Sequence, residues 1–300
     1  MSCSISYSVL MLVCVMMLCL PERLKGQGDL SAVRETMTSP KPSGDSSHDH
    51  DHHHHDDEDD DSFSLGFSFS SNDDCEDDGD SLFAKIFLIG VTSPWWAPMS
   101  AVEKEGHVDA HFDSFPYNHT DDGYMMFGTL MEKSRRKDTW AIRLMNEYGT
   151  DFENLDRYGG RLFVETSSRF GVDVEWNRWM EDLGATQDEL WTGDVNLIVR
   201  FAQSEHSQFY SGLGLNWLVD DVIGSQNGFN FTYGFDLYPS KPFVLSTSLD
   251  WGRIDSSSLF HIRSTAGVVF EHVEFFVGYD YREIDDVDLS GVVGGLTFWW

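Results

Sequence analysis

The chain is poor in basic residues and in cysteine, and it has no long apolar run after its first twenty residues. It contains 20 Lys and Arg against 51 Asp and Glu, which gives a formal net charge of −31. The stretch from Asp45 to Asp80 holds fifteen acidic residues and no Lys or Arg. Because nucleic-acid binding needs basic groups that neutralise phosphates, no nucleic-acid partner is expected, and cations or basic surfaces are favoured instead.

Cysteine usage excludes a disulfide framework. Cys3, Cys14 and Cys19 lie in the predicted N-terminal leader, residues 1–26, and Cys75 stands alone in the acidic stretch. A mature exported chain with one cysteine cannot be held together by internal disulfides. We therefore expect another source of stability, and a closed β-sheet would provide it.

Residues 5–20 form an apolar run of 16 residues that ends at Pro21. This run is short for a helical membrane span, which needs about 20 residues. It predicts a signal peptide over residues 1–26, with cleavage near Gly26.

Residues 27–137 are predicted to be a disordered, acidic and His-rich periplasmic segment. Ser, Asp, His, Pro and Gly dominate residues 27–80, which hold too few apolar residues to build a core. Residues 82–91 (LFAKIFLIGV) are a short apolar stretch. This stretch could lie at the membrane surface, plug a lumen or pair as an extra strand.

The remainder of the chain alternates bulky apolar residues with small or polar ones, and this alternation continues to the last residue. The final segment shows the pattern at Val292, Gly294, Leu296, Phe298 and Trp300. A period of two is typical of β-strands, whose successive side chains point to opposite faces. We predict ten strands, at about 138–148, 158–166, 169–178, 193–202, 207–217, 228–238, 241–251, 258–270, 272–282 and 288–300.

The connections between these strands alternate in length, as in an antiparallel transmembrane barrel with short periplasmic turns and longer external loops. Short turns are predicted at 167–168, 203–206, 239–240 and 271. Longer loops are predicted at 149–157, 179–192, 218–227, 252–257 and 283–287. If Trp300 ends in the periplasm, this alternation places the start of the first strand there too. The predicted fold is therefore all-β, a closed antiparallel transmembrane β-barrel of ten strands, or of eight if the first hairpin is not part of the wall.

The apolar face of each strand is predicted to meet lipid. In the strand 228–238 one face carries Phe229, Phe231 and Tyr233, whereas the other carries Asn230 and Thr232. The rival arrangement is a soluble lipocalin-like barrel with its apolar face inward. About forty large apolar side chains are too many for the interior of a small barrel, which side chains of eight strands already fill. The lipid bilayer is therefore the expected environment.

Residues 138–300 resemble small bacterial outer-membrane barrels of the OmpA- and OmpW-like class. The resemblance rests on the alternation and on the terminal Trp300 with its apolar partners Phe298 and Leu296. It implies a bacterial outer-membrane location. It also implies that Leu296, Phe298 and Trp300 form the signal read by the barrel-assembly machinery. The resemblance covers the barrel only.

The face opposite the apolar one is rich in charge and predicts a charged lumen. Such charges could form a narrow, gated path for cations, or an ion-pair network that fills the barrel without conducting, because buried charges are costly unless paired. The acidic excess favours cations if anything passes. The predicted lumen residues are Arg143, Arg161, Glu165, Asp173, Glu175, Arg200, Asp236, Asp250, Arg263, Glu274, Asp280 and Arg282, with Glu147 beside them.

Residues 48–61 (HDHDHHHHDDEDDD) are a candidate metal-binding tract. Imidazole nitrogens at His50, His52 and His54 could bind zinc or copper, and the neighbouring carboxylates offer oxygen ligands. The alternative is an acidic, solvating spacer with no metal and no other cofactor.

No enzymatic activity is expected. An omptin-like protease would need paired acids and an Asp–His couple near the external rim. The predicted external loops carry acidic residues, such as Asp220 and Asp221, but no His. The sequence therefore predicts a monomeric outer-membrane barrel with a structural or narrow-pore role, or alternatively a metal-binding protein that uses the barrel as its anchor.

Overall fold

A computed structural model describes residues 28–39, 92–103, 110–118, 123–128, 138–184 and 186–300. The N-terminal helix spans Asp29–Thr38, and residues 92–102 are also helical. Among the described residues, no helix is both long and apolar enough to span a bilayer. The strands are β1 (His111–Phe112), β2 (Met125–Met126), β3 (Trp140–Thr150), β4 (Leu155–Thr166), β5 (Phe170–Asp182), β6 (Gln187–Ser204), β7 (Ser207–Asp220), β8 (Gly224–Ser240), β9 (Phe243–Ile254), β10 (Ser257–Phe270), β11 (Val273–Ile284) and β12 (Val287–Trp299).

Strands β3 to β12 form a closed antiparallel barrel in which each strand pairs with its neighbours in sequence. The barrel closes between β12 and β3, from Val292 opposite Thr150 to Trp299 opposite Arg143. A closed sheet leaves no unpaired strand edge, which is the condition for strands to cross a bilayer. The prediction of ten strands is confirmed. The eight-strand alternative is wrong, because β3 pairs both with β12 and with β4.

The two ends of the barrel are defined by their connections. We call the end with the connections 167–169, 205–206, 241–242 and 271–272 the turn end; β3 begins there and β12 ends there. The opposite end, the loop end, has the connections 151–154, 183–186, 221–223, 255–256 and 285–286. The predicted alternation of ends is therefore correct.

The predicted lengths of the external loops are wrong. The stretch 179–192, predicted as a loop, leaves only residues 183–186 outside strands, and 218–227 leaves only 221–223. Polar residues in these stretches, such as Asp188 and Asp220, continue the strands and bind side chains at the loop end of the barrel. Charge alone therefore does not mark a loop when the inner face of the barrel is itself charged.

The outer wall is apolar and exposed, as the strand pattern predicts. Leu197 is 72% exposed, Trp251 is 65% exposed and Leu215 is 62% exposed, and all three point away from the lumen. The residues that alternate with them are buried. An apolar outer face with a polar interior is the arrangement of a barrel that lies in lipid.

The prediction of disorder over 27–137 is wrong for the parts of that segment that the structure describes. The N-terminal helix seals the loop end, where Leu30 and Val33 are fully buried among apolar residues of the strand ends. Residues 110–128, as far as they are described, cover the turn end with Phe112 and Tyr124. The apolar stretch 82–91 lies outside the described residues, as do residues 1–27.

The helical residues 92–102 contact the outside of the wall, on strands β7 and β8. The Trp95 ring lies 6.1 Å from that of Phe231 and 6.2 Å from that of Tyr233. Nε1 of Trp95 donates a hydrogen bond to Oγ of Ser211 at 3.2 Å. The Trp95 indole and the Ser211 hydroxyl thus satisfy each other on this apolar face, as membrane burial requires.

Candidate functional site: the charged lumen

All twelve predicted lumen residues lie inside the barrel wall, on eight different strands. Eleven are buried, and the side chain of Arg161 is 11% exposed. Their placement follows from the strand period, because every second residue of a barrel strand faces inward. The question for function is whether these charges leave a path through the barrel or fill it.

Near the turn end, Arg143 and Arg200 share the carboxylate of Glu165. Nη2 of Arg143 lies 3.3 Å from one oxygen, and Nη1 of Arg200 lies 2.9 Å from the other. Arg143 also donates from Nη1 to Oδ2 of Asp236 at 2.8 Å. Gln208 donates to the same Asp236 oxygen at 2.6 Å. Glu165 and Asp236 therefore each accept from at least one guanidinium group and from the amide of Gln208.

The next layer contains a two-point ion pair between Arg161 and Asp173. Nε and Nη2 of Arg161 donate to the two Asp173 oxygens at 2.7 Å and 2.5 Å. The same guanidinium donates to Tyr210 Oη at 3.2 Å and to Ser248 Oγ at 3.2 Å. A bidentate pair fixes the orientation of both groups. Arg161 is therefore held firmly in the lumen.

Toward the loop end, Glu175 and Glu147 are joined by arginines. Arg282 donates to Oε1 of Glu175 at 2.8 Å, and Nη1 of Arg263 lies 3.2 Å from Oε1 of Glu147 and 3.5 Å from Oε2 of Glu175. Arg157 adds a contact to Glu147 at 2.9 Å. The carboxylates in this layer are thus shared among several guanidinium groups.

His261 lies between two aspartates in the same region. Its Nδ1 is 3.0 Å from Oδ2 of Asp250, and its Nε2 is 3.0 Å from Oδ2 of Asp280. Arg157 also reaches Asp280, at 3.3 Å. Nη2 of Arg282 also lies 3.3 Å from Nδ1 of His261, so the imidazole contacts two carboxylates and a guanidinium group.

Two lumen carboxylates have no ion pair with any described cation. Asp194 accepts a hydrogen bond from Nδ2 of Asn196 at 2.7 Å, and Glu274 accepts one from Nε1 of Trp299 at 3.2 Å. Both are buried. Glu274 is therefore the predicted lumen residue that the structure does not bring to a cation, although the side chains of Arg143 and Arg263 line the same cavity.

That cavity has a volume of about 30 Å³. It lies beside Glu274, Thr265 and Thr297. A cavity of this size holds about one or two water molecules. The Glu274 side chain packs directly against Gly267. A Cβ atom at position 267 would lie only 2.0 Å from Oε1 of Glu274, so a larger residue does not fit there. The space is suited to bound water and is too small for a solute.

Sequence reasoning missed Arg157 and Asp194. Arg157 falls in the predicted loop 149–157, whereas it lies on β4 and is buried. Asp194 falls in a predicted strand, and its two-residue spacing from Asn196 could have placed it on the inner face. The strand periodicity was thus enough to place Asp194 in the lumen. Arg157 could be placed there only with the knowledge that β4 begins at Leu155 and not at residue 158.

The loop end is closed by specific polar contacts as well as apolar ones. The carboxylate of Glu181 accepts hydrogen bonds from the backbone N–H groups of Asp29 and Leu30, at 2.8 Å and 3.0 Å. An anion at this position satisfies free N–H groups at the start of a helix. Hydrogen bonds to Asp188 and Asp220 hold Arg34 and raise its pKa above its ordinary value. The N-terminal helix is thus seated on residues of three strands.

The turn end is closed by aromatic packing. The Tyr124 ring is 5.0 Å from that of Trp299 and 5.7 Å from that of Tyr238. The Arg200 guanidinium lies 4.8 Å from the centre of the Phe112 ring, within the range of a cation–π contact. Tyr117 donates from Oη to the backbone oxygen of Phe243 at 2.7 Å. The ion-pair network is therefore covered on this side too.

The residues of the expected assembly signal lie on the outside of the closing strand. Phe298 and Trp300 stack with ring centres 6.0 Å apart, and Trp300 is 54% exposed. Leu296 is two residues further along the same outward face. The backbone of Trp300 exchanges two hydrogen bonds of 2.9 Å with Ile142. The signal residues thus belong to the seam between β12 and β3, while recognition by an assembly machinery stays a prediction.

The candidate metal ligands His50, His52 and His54 lie outside the described residues. Within the part of the chain that the structure describes, no three His, Cys, Asp or Glu side chains are grouped so that they could hold a metal ion. Zinc or copper binding by the tract therefore stays a prediction.

Solved structures that are similar to this chain include two bacterial barrel proteins. The N-terminal β-barrel domain of Pseudomonas aeruginosa OprF is 14% identical, with a TM-score of 0.31, over 53% of this chain and 97% of that one. CdiB from Acinetobacter baumannii is 10% identical, with a TM-score of 0.26, over 50% of this chain and 39% of that one. No family model and no curated protein match the sequence.

The architecture of the chain itself establishes its class. An even number of antiparallel strands, a closed wall, an apolar outer band and a polar interior together define the outer-membrane type of barrel. The chain is a small outer-membrane β-barrel. What the barrel does in that membrane depends on its lumen.

Proposed function

We propose that the protein is a closed outer-membrane barrel with a structural role, and that its lumen does not conduct ions or solutes. The observation that carries this proposal is the contact between Arg143 on β3 and Asp236 on β8. These strands are five places apart in a ring of ten, so they form opposite walls. A side-chain contact at 2.8 Å across the full width leaves no open passage at that level.

A second contact across the barrel supports the same proposal closer to the loop end. Arg282 on β11 donates to the hydroxyl of Thr192 on β6 at 3.3 Å, and these strands are also five places apart. The two layers are at different heights, so a passing ion would have to break both. Because a buried charge that loses its partner is strongly unfavourable, such breaks are expected to be rare.

The covers at both ends add to the barrier. The N-terminal helix places Leu30 and Val33 among the apolar strand ends, and Phe112 and Tyr124 cover the opposite side. Apolar residues around a constriction exclude water and the ions that water carries. The proposed role is therefore a stable membrane scaffold rather than a pore, and we assign it no catalytic activity.

A flux assay in liposomes tests the proposal. Protein folded into vesicles, with folding verified by heat-modifiable gel migration, is expected to release entrapped K⁺ no faster than empty vesicles. The variant Arg143→Ala/Asp236→Ala removes the contact across the lumen. Its matched control, Arg178→Ala/Glu189→Ala, removes a pair of the same type whose side chains are 43% and 39% exposed. Rapid release by the folded wild-type protein would contradict the proposal.

The narrow-pore alternative is favoured by one observation, the two buried carboxylates without a described cation, Asp194 and Glu274. If the lumen conducts, it should conduct cations, because the acidic residues are in excess. Cation-selective flux that Glu274→Gln and Asp194→Asn reduce would support the pore in place of the scaffold.

A further inference from the structure

We propose that the loop end of the barrel carries a docking surface for a cationic protein segment that also contains apolar side chains. The surface is built around three exposed apolar residues, Phe152, Leu183 and Val222, which we call the apolar tips. Each of them lies in a different loop-end connection. The inference concerns the outside of the loop end, so it does not depend on whether the lumen conducts.

The apolar tips are exposed although they do not belong to the strands of the wall. Phe152 is 77% exposed, Val222 is 75% exposed and Leu183 is 46% exposed. The three connections that carry them follow one another around the barrel, between β3 and β4, β5 and β6, and β7 and β8. Large apolar side chains that are gathered on one exposed surface mark an interaction site.

Hydrogen bonds tie the three connections to one another and to the N-terminal helix. The backbone N–H of Asp182 donates to the carbonyl of Asn154 at 2.9 Å, which joins the end of β5 to the first connection. Arg34 of the helix binds both Asp188 and Asp220, which lie beside the second and the third connection. The apolar tips therefore belong to one surface around the helix.

An aspartate before each apolar tip fixes the backbone of its connection. Oδ1 of Asp151 accepts three of the following backbone N–H groups, at 2.8 to 3.2 Å. Oδ1 of Asp182 accepts one at 2.8 Å, and Oδ1 of Asp220 accepts two at 2.8 Å and 3.0 Å. Phe152 is held at a φ of 65°, a left-handed conformation that is rare for a bulky residue. Connections that are fixed in advance lose little conformational entropy when a partner binds.

The apolar tips lie beyond the lipid-facing band of the wall. Arg178 on β5 and Glu189 on β6 form an ion pair of 2.7 Å on the outer face, through side chains that are 43% and 39% exposed. Charged side chains are costly on the lipid face near the bilayer centre and are tolerated near its interfaces, so this pair marks the edge of the apolar band. Leu183 lies five residues farther along the chain toward the loop end. A partner outside the bilayer can therefore reach the surface.

The charge of the loop end determines the kind of partner. The turn-end connections hold two acidic and two basic residues, whereas the five loop-end connections hold six acidic residues and no Lys or Arg. The six are Asp151, Glu153, Asp221, Asp255, Asp285 and Asp286. Complementary charge attracts a partner and disfavours the wrong ones, so anionic lipid headgroups are repelled and a basic segment is favoured. Aromatic or aliphatic side chains of that segment would pack on the apolar tips.

Titration calorimetry with the full chain in phosphatidylcholine nanodiscs tests the docking surface. The probe is the synthetic peptide KWKLKWK, the comparison peptide is EWELEWE, and empty nanodiscs report binding to lipid. The variant Phe152→Asn/Leu183→Ser/Val222→Ser removes the apolar tips, and Asn is tolerated at a positive φ, so this variant is expected to fold. The matched control, Phe152→Tyr/Leu183→Met/Val222→Ile, keeps apolar side chains at the same positions. Heat-modifiable gel migration verifies folding of each protein.

We expect KWKLKWK to bind the wild-type protein and the control alike, and to bind the variant without apolar tips at least about tenfold more weakly. Salt should weaken the binding, because it screens the acidic residues. No binding to the wild type, equal affinity for the variant without tips, equal binding of EWELEWE, or equal binding to empty nanodiscs would each overturn the proposal. Tip-dependent binding of the nanodiscs to phosphatidylglycerol vesicles in place of the peptide would assign the tips to a lipid surface. A conducting lumen would leave these affinities unchanged, so the proposed function is tested separately.

Discussion

Arg143 and Asp236 join opposite walls of the barrel through one hydrogen bond of 2.8 Å between Nη1 and Oδ2. The two residues are 93 positions apart in the chain and five strands apart around the ring. Arg143 also packs against aromatic rings, with its guanidinium carbon 4.2 Å from the centre of Phe163 and 5.1 Å from that of Trp299. The lumen is therefore held together across its width by a side chain with several partners.

Removing Arg143 is expected to destabilise the barrel strongly. Arg143→Ala leaves Asp236 buried without its cation, and loss of one partner of a buried pair costs about 3–5 kcal/mol. The exposed pair of Arg178 and Glu189 is the matched control, and Arg178→Ala should cost much less, because solvent screens an exposed ion pair. Urea unfolding of the folded proteins in vesicles measures both. Equal effects of the two substitutions would contradict a structural role for the lumen network.

The two kinds of buried carboxylate are expected to respond differently to neutralisation. Glu175→Gln leaves Arg282 and Arg263 with less compensation and should lower the free energy of unfolding by about 3–5 kcal/mol. Glu274→Gln should change it by less than about 1 kcal/mol, since no described cation loses a partner and the amide oxygen still accepts from Trp299. The same unfolding assay applies. A larger loss for Glu274→Gln would mean that this carboxylate binds a cation that the network depends on.

Reversal of the charge at position 34 is expected to weaken the contact between the N-terminal helix and the barrel. Arg34→Glu places a third carboxylate beside Asp188 and Asp220, so the helix should detach and become open to proteolysis. We expect cleavage by proteinase K within residues 28–39 to accelerate at least about tenfold, which corresponds to about 1.4 kcal/mol. Glu35→Arg, on the exposed side of the helix, is the control. If both variants are cleaved at the same rate, Arg34 does not hold the helix.

The metal hypothesis for residues 48–61 has a separate test. Titration calorimetry with Zn²⁺ or Cu²⁺ should detect binding by the wild-type protein, if the imidazoles at His50, His52 and His54 are ligands. Replacement of the six histidines of the tract by serine keeps its carboxylates and should abolish the binding, as should deletion of the tract. Equal affinity in all three proteins would remove the tract from consideration.

Much of the barrel could be predicted from sequence because the alternation of side chains along a strand depends only on neighbouring residues. Alternation in a strand such as Gly224–Ser240 determines which residues face lipid and which face the lumen, and the connections set the order of the strands. The ends of the strands were less predictable. Charged residues such as Arg157 and Asp188 are equally compatible with an exposed loop and with the polar inner face of a barrel strand. The local pattern therefore predicted the number of strands and their lipid-facing sides, but it underestimated the length of several strands.

Contacts between distant parts of the chain were beyond sequence reasoning. The pairing of Arg143 with Asp236 depends on the curvature of a closed ring and on the heights of both residues in it. The N-terminal helix carries a weak local signal, Leu30, Val33 and Met37 at helical spacing, within a polar segment. The helix binds to strand ends that lie more than 140 positions away in the chain. The sequence therefore did not show which residues the apolar side of the helix packs against.

The most direct test of the closed lumen is single-channel recording in a planar lipid bilayer. The folded wild-type protein is expected to insert without producing discrete conductance steps, and so is the control Arg178→Ala/Glu189→Ala. The variant Arg143→Ala/Asp236→Ala, which lacks the contact across the lumen, shows whether conductance can be produced once that contact is gone. Discrete, reproducible conductance steps from the folded wild-type barrel would contradict the proposal of a closed lumen and would show that the protein forms a pore.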